Sequence, residues 1–370
     1  MKKTVAGTLL ALAVVPAFAA ELPLDKIKLP QGFSISVYAD DVPGARSMAL
    51  GDKGTLFVGS QRAGNVYAIS DTDGDHKADN TVVVAEELWW PNGVAFKDGT
   101  LYVAEIGRIV KFEDIENSLD APPEPVVVID TLPQEQMHGW KYLNVGPDGK
   151  LYFNIGMPCN DCDAAKEQNN PLFGTLQRIN TDGTGLETFA LGVRNSLGFD
   201  WHPATKAMYF NDTGRDLMGD DVPHCELNLA TEPGQHFGYP YFHGGDLPDP
   251  VHGAGKNADD YVKPIQQMGA HVTPLGLKFY TGAQFPAEYK NRIFTALHGS
   301  WNRSIKVGYS VKQITLDDAG QVAKYEDFAT GWLDRQEAWG RPVDVRVMPD
   351  GALLVSDDFA NVIYRIAYTG

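Results

Sequence analysis

Apolar and polar residues alternate over short runs along most of the chain, and these runs recur in the same order. Each copy has an alternating run, a polar turn, a second run and, after a gap, a third. The copies begin at Met48, Gly93, Tyr142, Leu197, Leu275 and Val343. Alternation with a period of two is typical of half-buried β-strands. The Asp-Gly turns between runs indicate hairpins, because both residues tolerate positive φ.

Six such copies predict a closed ring of blades. A blade of about four strands buries both faces of its sheet only by stacking against its neighbours around a central channel. No stretch shows a sustained helical stripe. The sequence therefore predicts an all-β, six-bladed β-propeller, formed by residues 20–370 as a single domain. The alternating segment 33–38 is expected to add a closing strand to the last blade.

The N-terminal residues have the pattern of an export signal. Lys2 and Lys3 precede an apolar segment, residues 5–17, and Ala17-Phe18-Ala19 matches a cleavage site. The apolar segment is too short for a good membrane span, and a buried N-terminal helix is the alternative. We expect residues 1–19 to be a signal peptide, cleaved near Ala19/Ala20. The mature protein would then be periplasmic or secreted, without stable membrane insertion.

The chain is acidic, with a formal net charge of −17, and loss of Lys2 and Lys3 would make it two charges more negative. Such a chain repels phosphate backbones and anionic lipids. The charge therefore argues against nucleic acids and membrane surfaces as partners.

Three cysteines limit the thiol chemistry. Cys159 and Cys162 form a C-x-x-C motif that lacks the second pair of a zinc site and the βαβ setting of a thioredoxin-like centre. In an oxidising compartment, we favour a local disulfide that stiffens the loop. Cys225 is then expected to be a buried free thiol.

Three long segments interrupt blades three to five, namely residues 156–174, 211–226 and 239–273. Long loops in a compact domain usually carry function, because the blades hold them in place. The segment 211–228 is rich in carboxylates and glycine, a composition that suits Ca²⁺. Residues 71–79 form a partial calcium-loop motif, for which a solvated turn is an equally good interpretation.

Several blades carry a charged or polar residue directly before the inner strand. These residues are Arg46 in blade one, His138 in blade three, Arg194 and Asn195 in blade four, and Arg341 in blade six. Because equivalent blade positions share one end of the channel, we expect the side chains to converge at its mouth. Guanidinium groups bind carboxylates bidentately, so the ring favours a flat, multiply anionic ligand. His138 would be the general base. The alternative is a charge network that only plugs the channel.

With these motifs in this order, the chain resembles the soluble quinoprotein sugar dehydrogenases, the glucose/sorbosone dehydrogenase family. The resemblance rests on His138-Gly139 and on residues 192–198, 212–216, 219–221, 226–228 and 298–304. It covers nearly the whole mature chain and is closest to the L-sorbosone dehydrogenase-like branch. It implies a six-bladed propeller that binds pyrroloquinoline quinone (PQQ) and Ca²⁺ and oxidises an aldose or sugar aldehyde. The soluble electron acceptor, a cytochrome or a quinone, is left open.

The resemblance also implies roles for the central residues. His138 matches the catalytic base, which takes the hydroxyl proton as hydride passes to the quinone. Arg194 and Asn195 match the pair beside the quinone oxygens, where Arg194 would stabilise the developing oxyanion. Gly214 and Arg215 match the positions whose backbone carbonyls hold Ca²⁺. The glucose-oxidising branch has proline at the second position, so Arg215 leaves the ligand geometry open.

Further cofactor contacts follow from the same resemblance. Arg303 and Arg341 lie near the positions of the basic contacts to the cofactor carboxylates from blades five and six. Arg46, His298 and Trp301 are additional candidates, and Trp301 either stacks on the planar quinone or is a core aromatic.

Two other functions are compatible with a propeller, since this fold has many functions. A calcium-dependent hydrolase or lactonase would bind its metal through side chains at the channel floor, with Glu105 and Asp212 as possible ligands. The arginine-rich mouth disfavours this alternative. A non-catalytic binding propeller would require neither His138 nor calcium.

Overall fold

Short strands account for nearly all of the regular structure. The computed structural model describes residues 22–370, so the predicted signal peptide lies outside the described residues. Within them, the only α-helix is a single turn, Ala164–Glu167. The 3₁₀ turns are Leu24–Lys26, Ile115–Asn117, Ala258–Asp260 and Ala287–Tyr289. This content confirms the predicted all-β class.

The strands form six blade sheets, each with four antiparallel strands, and the third sheet has a fifth strand that pairs in parallel. The first strand is β1 (Phe33–Ala39). The first sheet contains β2 (Met48–Leu50), β3 (Leu56–Val58), β4 (Val66–Ser70) and β5 (Asn80–Ala85). The second contains β6 (Gly93–Lys97), β7 (Thr100–Ala104), β8 (Ile109–Phe112) and β9 (Val126–Ile129). The third contains β10 (Leu143–Val145), β11 (Leu151–Ile155), β12 (Thr175–Ile179) and β13 (Glu187–Leu191).

The later sheets carry the longer insertions. The fourth contains β14 (Phe199–Trp201), β15 (Met208–Asp212) and β16 (His224–Ala230). Next come β17 (Gln235–His236), which extends the third sheet in parallel with β13, and the hairpin of β18 (Phe242–His243) and β19 (Leu247–Pro248). Strand β20 (Gln266–Ala270) completes the fourth sheet. The fifth contains β21 (Pro274–Phe279), β22 (Ile293–Leu297), β23 (Ser310–Leu316) and β24 (Val322–Ala329).

The last sheet is completed by the first strand. After the small hairpin of β25 (Leu333–Asp334) and β26 (Glu337–Ala338), the sheet contains β27 (Pro342–Val347), β28 (Leu353–Asp357) and β29 (Val362–Tyr368). Strand β1 pairs with β29, from Phe33 opposite Tyr368 to Val37 opposite Tyr364. Inner strands of neighbouring sheets contact one another, including β27 with β2. These pairings confirm the six-bladed β-propeller and the predicted closing strand.

The core is divided among the interfaces between blades. One cluster packs the faces of blades five and six together around Trp332 and Tyr364, both fully buried. Another joins blades two and three around Phe153. Each blade therefore depends on its neighbours for burial, which is the expected consequence of a repeat that cannot bury its own faces.

The structure also bears on the expectations for loops. Cys159 and Cys162 form a disulfide with a Cα–Cα distance of 6.1 Å, and Cys225 is a buried free thiol, so both predictions are confirmed. In residues 71–79, the Asp71 carboxylate accepts hydrogen bonds from the backbone N–H groups of Gly74 and His76, as in a turn. These contacts agree with the solvated turn, and the calcium loop stays the alternative interpretation of these residues. Across residues 22–370, no helix has the length and apolar character to cross a membrane.

The ring closure generates a prediction about stability. The Phe33 ring of β1 contacts the rings of Phe285, Tyr289, Phe328 and Tyr368 at centroid distances between 4.7 and 5.2 Å. Phe33→Ala is expected to lower the free energy of unfolding by about 2 kcal/mol, because it leaves a cavity at the closing strand. Urea denaturation followed by tryptophan fluorescence measures the change. Val83→Ala on an outer strand is the control, with an expected change within about 0.5 kcal/mol. Equal losses in both variants would contradict the role of Phe33.

Candidate active site

A cavity of about 460 Å³ opens at the end of the channel where the inner strands begin. Eight of the residues selected from the sequence line it: Arg46, His138, Arg194, Asn195, Gly214, His298, Trp301 and Arg341. They meet because each either precedes an inner strand or follows the adjacent strand that ends at the same mouth. The volume falls in the range of small-molecule sites, roughly 300–1,000 Å³.

His138 is fixed in one tautomer. Its Nδ1 lies 2.6 Å from the backbone carbonyl oxygen of Met157. Because a carbonyl only accepts hydrogen bonds, Nδ1 carries the proton and Nε2 carries the lone pair. The residue has a left-handed backbone, with φ of 52°. Gly156 permits this close packing, since a Cβ there would lie 2.7 Å from the Cβ of His138.

Burial, together with the nearby charge of Arg194, lowers the pKa of His138 to about 3. The protonated form is disfavoured because it would place a second cation in a poorly solvated site. His138 is therefore neutral at neutral pH, with an unprotonated Nε2 that can accept a proton.

Asp212 at the end of β15 positions the pair Arg194 and Asn195. Its two carboxylate oxygens accept hydrogen bonds from the backbone N–H groups of these residues, both at 2.7 Å. The Arg194 guanidinium then reaches the backbone carbonyl of Thr213 at 3.2 Å and both oxygens of Asn160. The Asn195 Oδ1 atom is buried and has no hydrogen-bond partner among the described residues. This pair thus presents a fixed cation and an unsatisfied carboxamide.

A second charge network lies across the cavity. The Asp358 carboxylate accepts hydrogen bonds from His298 Nε2 and from Arg46 Nη1, both at 2.8 Å. Although burial opposes it, these two neighbours lower the pKa of Asp358. Asp358 therefore neutralises Arg46 and orients His298 within the cavity wall.

The cavity lining has an excess of positive charge, with four arginines against two aspartates. Arg341 donates to the carbonyls of His298 and Gly299, and Arg62 stacks on Trp90. Within residues 22–370, neither arginine forms an ion pair with a carboxylate. Since the chain as a whole is acidic, the cavity is a local concentration of positive charge, an environment that favours anions.

The remaining predicted residues lie in different surroundings. The Arg303 side chain is outside the cavity lining and binds the Asp221 carboxylate at 3.0 Å and the carbonyl of Asp220. The Arg215 side chain also points elsewhere, to Asp161 at 2.8 Å and to Asp249. Its neighbour Gly214 does line the cavity. Trp301 is 72% exposed at the rim, so it is not a core aromatic.

The two carboxylates that the alternative hydrolase would use as metal ligands, Glu105 and Asp212, already accept hydrogen bonds from other groups. Glu105 is buried and accepts hydrogen bonds from the backbone N–H of Trp89 and from Arg108, and it does not line the cavity. Both oxygens of Asp212 are occupied by backbone N–H groups. These contacts disfavour a metal bound by the two side chains.

Sequence reasoning missed the cavity residues Gln61, Arg62, His271 and Asp358, and it included Thr213 and Asp216 in a motif without giving either a role. Asp358 follows β28 as His298 follows β22, so a comparison of the second strands of the blades could have found it. No sequence pattern marks Gln61 and Arg62, which lie on an irregular loop.

Comparison with known proteins identifies the family. A family model described as "Domain of unknown function (DUF7133)" matches residues 19–366. The chain belongs to this family. A protein of Borreliella burgdorferi described as uncharacterized is 33% identical over 365 residues, which cover 95% of this chain and 93% of the relative.

Solved structures share the fold of this DUF7133 chain at low sequence identity. The Trichoderma reesei carbohydrate-active enzyme of family AA12 has a TM-score of 0.80 at 18% identity, over 92% of this chain and 97% of that one. The PQQ domain of pyranose dehydrogenase from Coprinopsis cinerea, in its holo form, has a TM-score of 0.76 at 16% identity, with the same coverage. The soluble aldose sugar dehydrogenase of Escherichia coli has 0.69 at 17%, over 91% and 99%. The likeness establishes the propeller fold that PQQ-dependent sugar dehydrogenases share.

The geometry predicts how Arg194 affects His138. Arg194→Gln is expected to raise the pKa of His138 above about 3, because it removes a cation that disfavours the imidazolium. The measurement is an NMR titration of ¹³C-labelled histidine between pH 7 and 4. The His138 signal should stay unprotonated in the wild type and begin to titrate in the variant. Arg303→Gln, which removes an arginine outside the cavity, should leave the titration unchanged. An unaltered His138 signal in Arg194→Gln would contradict the coupling.

Proposed function

We propose that this protein is an exported dehydrogenase that oxidises a sugar with PQQ and Ca²⁺ as cofactors. The observation that carries the proposal is one cavity with a neutral, tautomer-fixed imidazole and an excess of arginine charge. Support comes from the shared fold, from the PQQ-bound form of the aldose sugar dehydrogenase of Streptomyces coelicolor and from the calcium structure of the Trichoderma reesei enzyme.

The residues fit a flat, multiply anionic cofactor. Arg341 and Arg62 carry charge that no carboxylate within residues 22–370 neutralises, and PQQ has three carboxylates. The buried Oδ1 of Asn195 is an acceptor without a partner among residues 22–370, so a ligand that fits this cavity also has to offer it a hydrogen-bond donor. The exposed ring of Trp301 offers an apolar face at the rim. Glu105 and Asp212, the ligands that a hydrolytic metal site would use, are engaged in hydrogen bonds instead.

When bound, PQQ would supply the electron-accepting quinone that takes up the hydride lost by the sugar. His138 would accept the proton of the sugar hydroxyl at Nε2, because the Met157 carbonyl retains the proton on Nδ1. The low pKa of His138 depends in part on the positive charge of Arg194. An anionic ligand would balance that charge and make the imidazole a stronger base.

Arg194 would stabilise negative charge that develops on an oxygen in the cavity. Its backbone is fixed by Asp212 and its guanidinium by neighbouring carbonyls, so little reorganisation is needed when the charge appears. The backbone carbonyls of Gly214 and Arg215 would hold Ca²⁺. The adjacent Asp216 carboxylate makes only long contacts, 3.7 Å to Arg194 and 3.8 Å to His271, and could supply further negative charge.

The finer assignments also belong to the proposal. The sequence motifs favour an aldose or sugar aldehyde as substrate and the sorbosone-dehydrogenase-like branch. The leader pattern, together with the Cys159–Cys162 disulfide, favours a periplasmic or secreted protein. The mature chain, residues 20–370, would form a single domain that delivers electrons to a soluble acceptor.

The first experiment tests the cofactor and the base. Purified apoprotein is mixed with PQQ and Ca²⁺, binding is measured by calorimetry, and dye reduction is assayed with a panel of aldoses and sugar aldehydes. His138→Gln is expected to lower turnover by about 10²–10⁴-fold, because it removes the proton acceptor, and to retain PQQ. Absence of PQQ binding by the wild type would refute the proposal. Loss of PQQ binding in the variant alone would show that His138 binds the cofactor instead.

A second experiment compares Arg341 with Arg303, because the sequence predicts both arginines at the carboxylates of the cofactor. Arg341→Gln is expected to raise the dissociation constant of PQQ at least about tenfold, since one ionic contact is worth about 1.4 kcal/mol or more. Arg303→Gln is the matched control, with a change below about twofold, because its side chain binds Asp221 outside the cavity. Calorimetry of both variants measures the difference. Equal losses of affinity would place Arg303 at the cofactor as well.

A further inference from the structure

We propose that Asn160, inside the disulfide loop, is a positioning residue that holds the guanidinium of Arg194 against the cavity wall. The inference rests on the proposed function, since it assigns to Asn160 an effect on the reaction through Arg194. Asn160 does not line the cavity itself, so it has no direct contact with a ligand there.

The contacts between the two residues are bidentate. The backbone carbonyl of Asn160 accepts a hydrogen bond from Arg194 Nε at 3.3 Å, and its side-chain Oδ1 accepts one from Nη2 at 3.0 Å. Arg194 Nη1 donates to the carbonyl of Thr213 at 3.2 Å. All three guanidinium nitrogens are thereby anchored, and Asn160 accounts for two of them.

Asn160 is itself fixed from two other segments. Its Oδ1 accepts a hydrogen bond from the backbone N–H of Asp216 at 2.7 Å, and its Nδ2 donates to the carbonyl of Asp216 at 3.0 Å. The hydroxyl of Tyr239 donates to the Asn160 carbonyl at 3.2 Å. Asn160 therefore connects the three long insertions through its side chain and its backbone carbonyl, and it transmits their positions to Arg194.

The disulfide restrains the same loop. Cys159 and Cys162 flank Asn160 at both ends, so the covalent ring limits the conformations that the carbonyl and the carboxamide can adopt. Asp161 in that ring also binds Arg215 at 2.8 Å. The loop is thus restrained covalently and electrostatically where it holds Arg194.

A competing partner explains why Arg194 needs this restraint. Its Nη2 lies 3.7 Å from the Asp216 carboxylate, which is beyond hydrogen-bond distance. Arg194 is almost fully buried and already forms an ion pair with Asp216 at this distance, so a released guanidinium would be drawn closer to the carboxylate. That movement would take the guanidinium away from the position that it holds at the cavity wall. The bonds to Asn160 oppose it.

The test is a double-mutant cycle on the PQQ- and Ca²⁺-loaded protein. Asn160→Ala is expected to lower kcat at least about tenfold, while KM for the sugar stays within about twofold, because Arg194 acts mainly when charge develops. In an Arg194→Lys background, the same substitution should change kcat less than about twofold. Gln168→Ala, an exposed amide in the same insertion, is the matched control and should leave kcat unchanged in both backgrounds. An equal loss from Asn160→Ala in both backgrounds would overturn the inference, because a general structural defect is additive.

A second readout is independent of the cofactor. Crystal structures of the apoprotein should show Arg194 Nη2 within about 3.2 Å of the Asp216 carboxylate in Asn160→Ala but not in the wild type. An unmoved Arg194 refutes the positioning role, whether or not PQQ binds. Failure of the wild type to bind PQQ refutes only the proposed function. If Asn160→Ala does not fold, Asn160→Ser undergoes both tests, since the shorter side chain loses the Oδ1 contact to Arg194 but keeps a polar group in the loop. Cys159→Ser with Cys162→Ser should shift kcat in the same direction by a smaller factor.

Discussion

Pairing of the first strand, β1, with the last, β29, is the constraint on which the rest of the structure depends. It makes every blade a neighbour of two others, so each sheet buries both faces. It also brings Arg46 of the first blade beside Asp358 of the last, where they form an ion pair at 2.8 Å. Asp344 of the last blade accepts a hydrogen bond from the backbone N–H of Met48 at 2.8 Å. The cavity therefore exists only in the closed ring.

The fold and the centre of the site could be predicted because both follow from the repeat. A period of two fixes the strands, and a recurring position before the inner strand places Arg194 and Arg341 at one mouth. The surroundings of Arg215 and Arg303 could not be predicted in this way. Both lie on irregular segments, where no periodicity determines the direction of a side chain. Asp358 was missed because the search followed the first strand of each blade and not the second.

Blades and insertions contribute differently to the same arginine. Strand β15 positions the backbone of Arg194 through Asp212, a contact that the regular sheet can specify. The guanidinium, several bonds further out, is held by Asn160 and Thr213, which belong to insertions. The regular sheet thus fixes the backbone of Arg194, and the insertions fix the position of its guanidinium group. The long loops of this chain fix the position of a charged group, and a disulfide within one of them and ion pairs between them hold them in place.

The number of arginines overstates the positive charge of the site. An arginine that is paired with a carboxylate attracts an anionic ligand only weakly. Asp358 neutralises Arg46, while Asp161 and Asp249 neutralise Arg215. Arg341 is different, since its partners are backbone carbonyls, which orient the guanidinium without cancelling its charge. Arg194 also donates to neutral oxygens, those of Asn160 and Thr213, although the Asp216 carboxylate at 3.7 Å balances part of its charge. In an acidic protein, cations held by neutral acceptors are those that can attract an anion into a pocket, so neutral hydrogen-bond acceptors are as important to this site as the arginines.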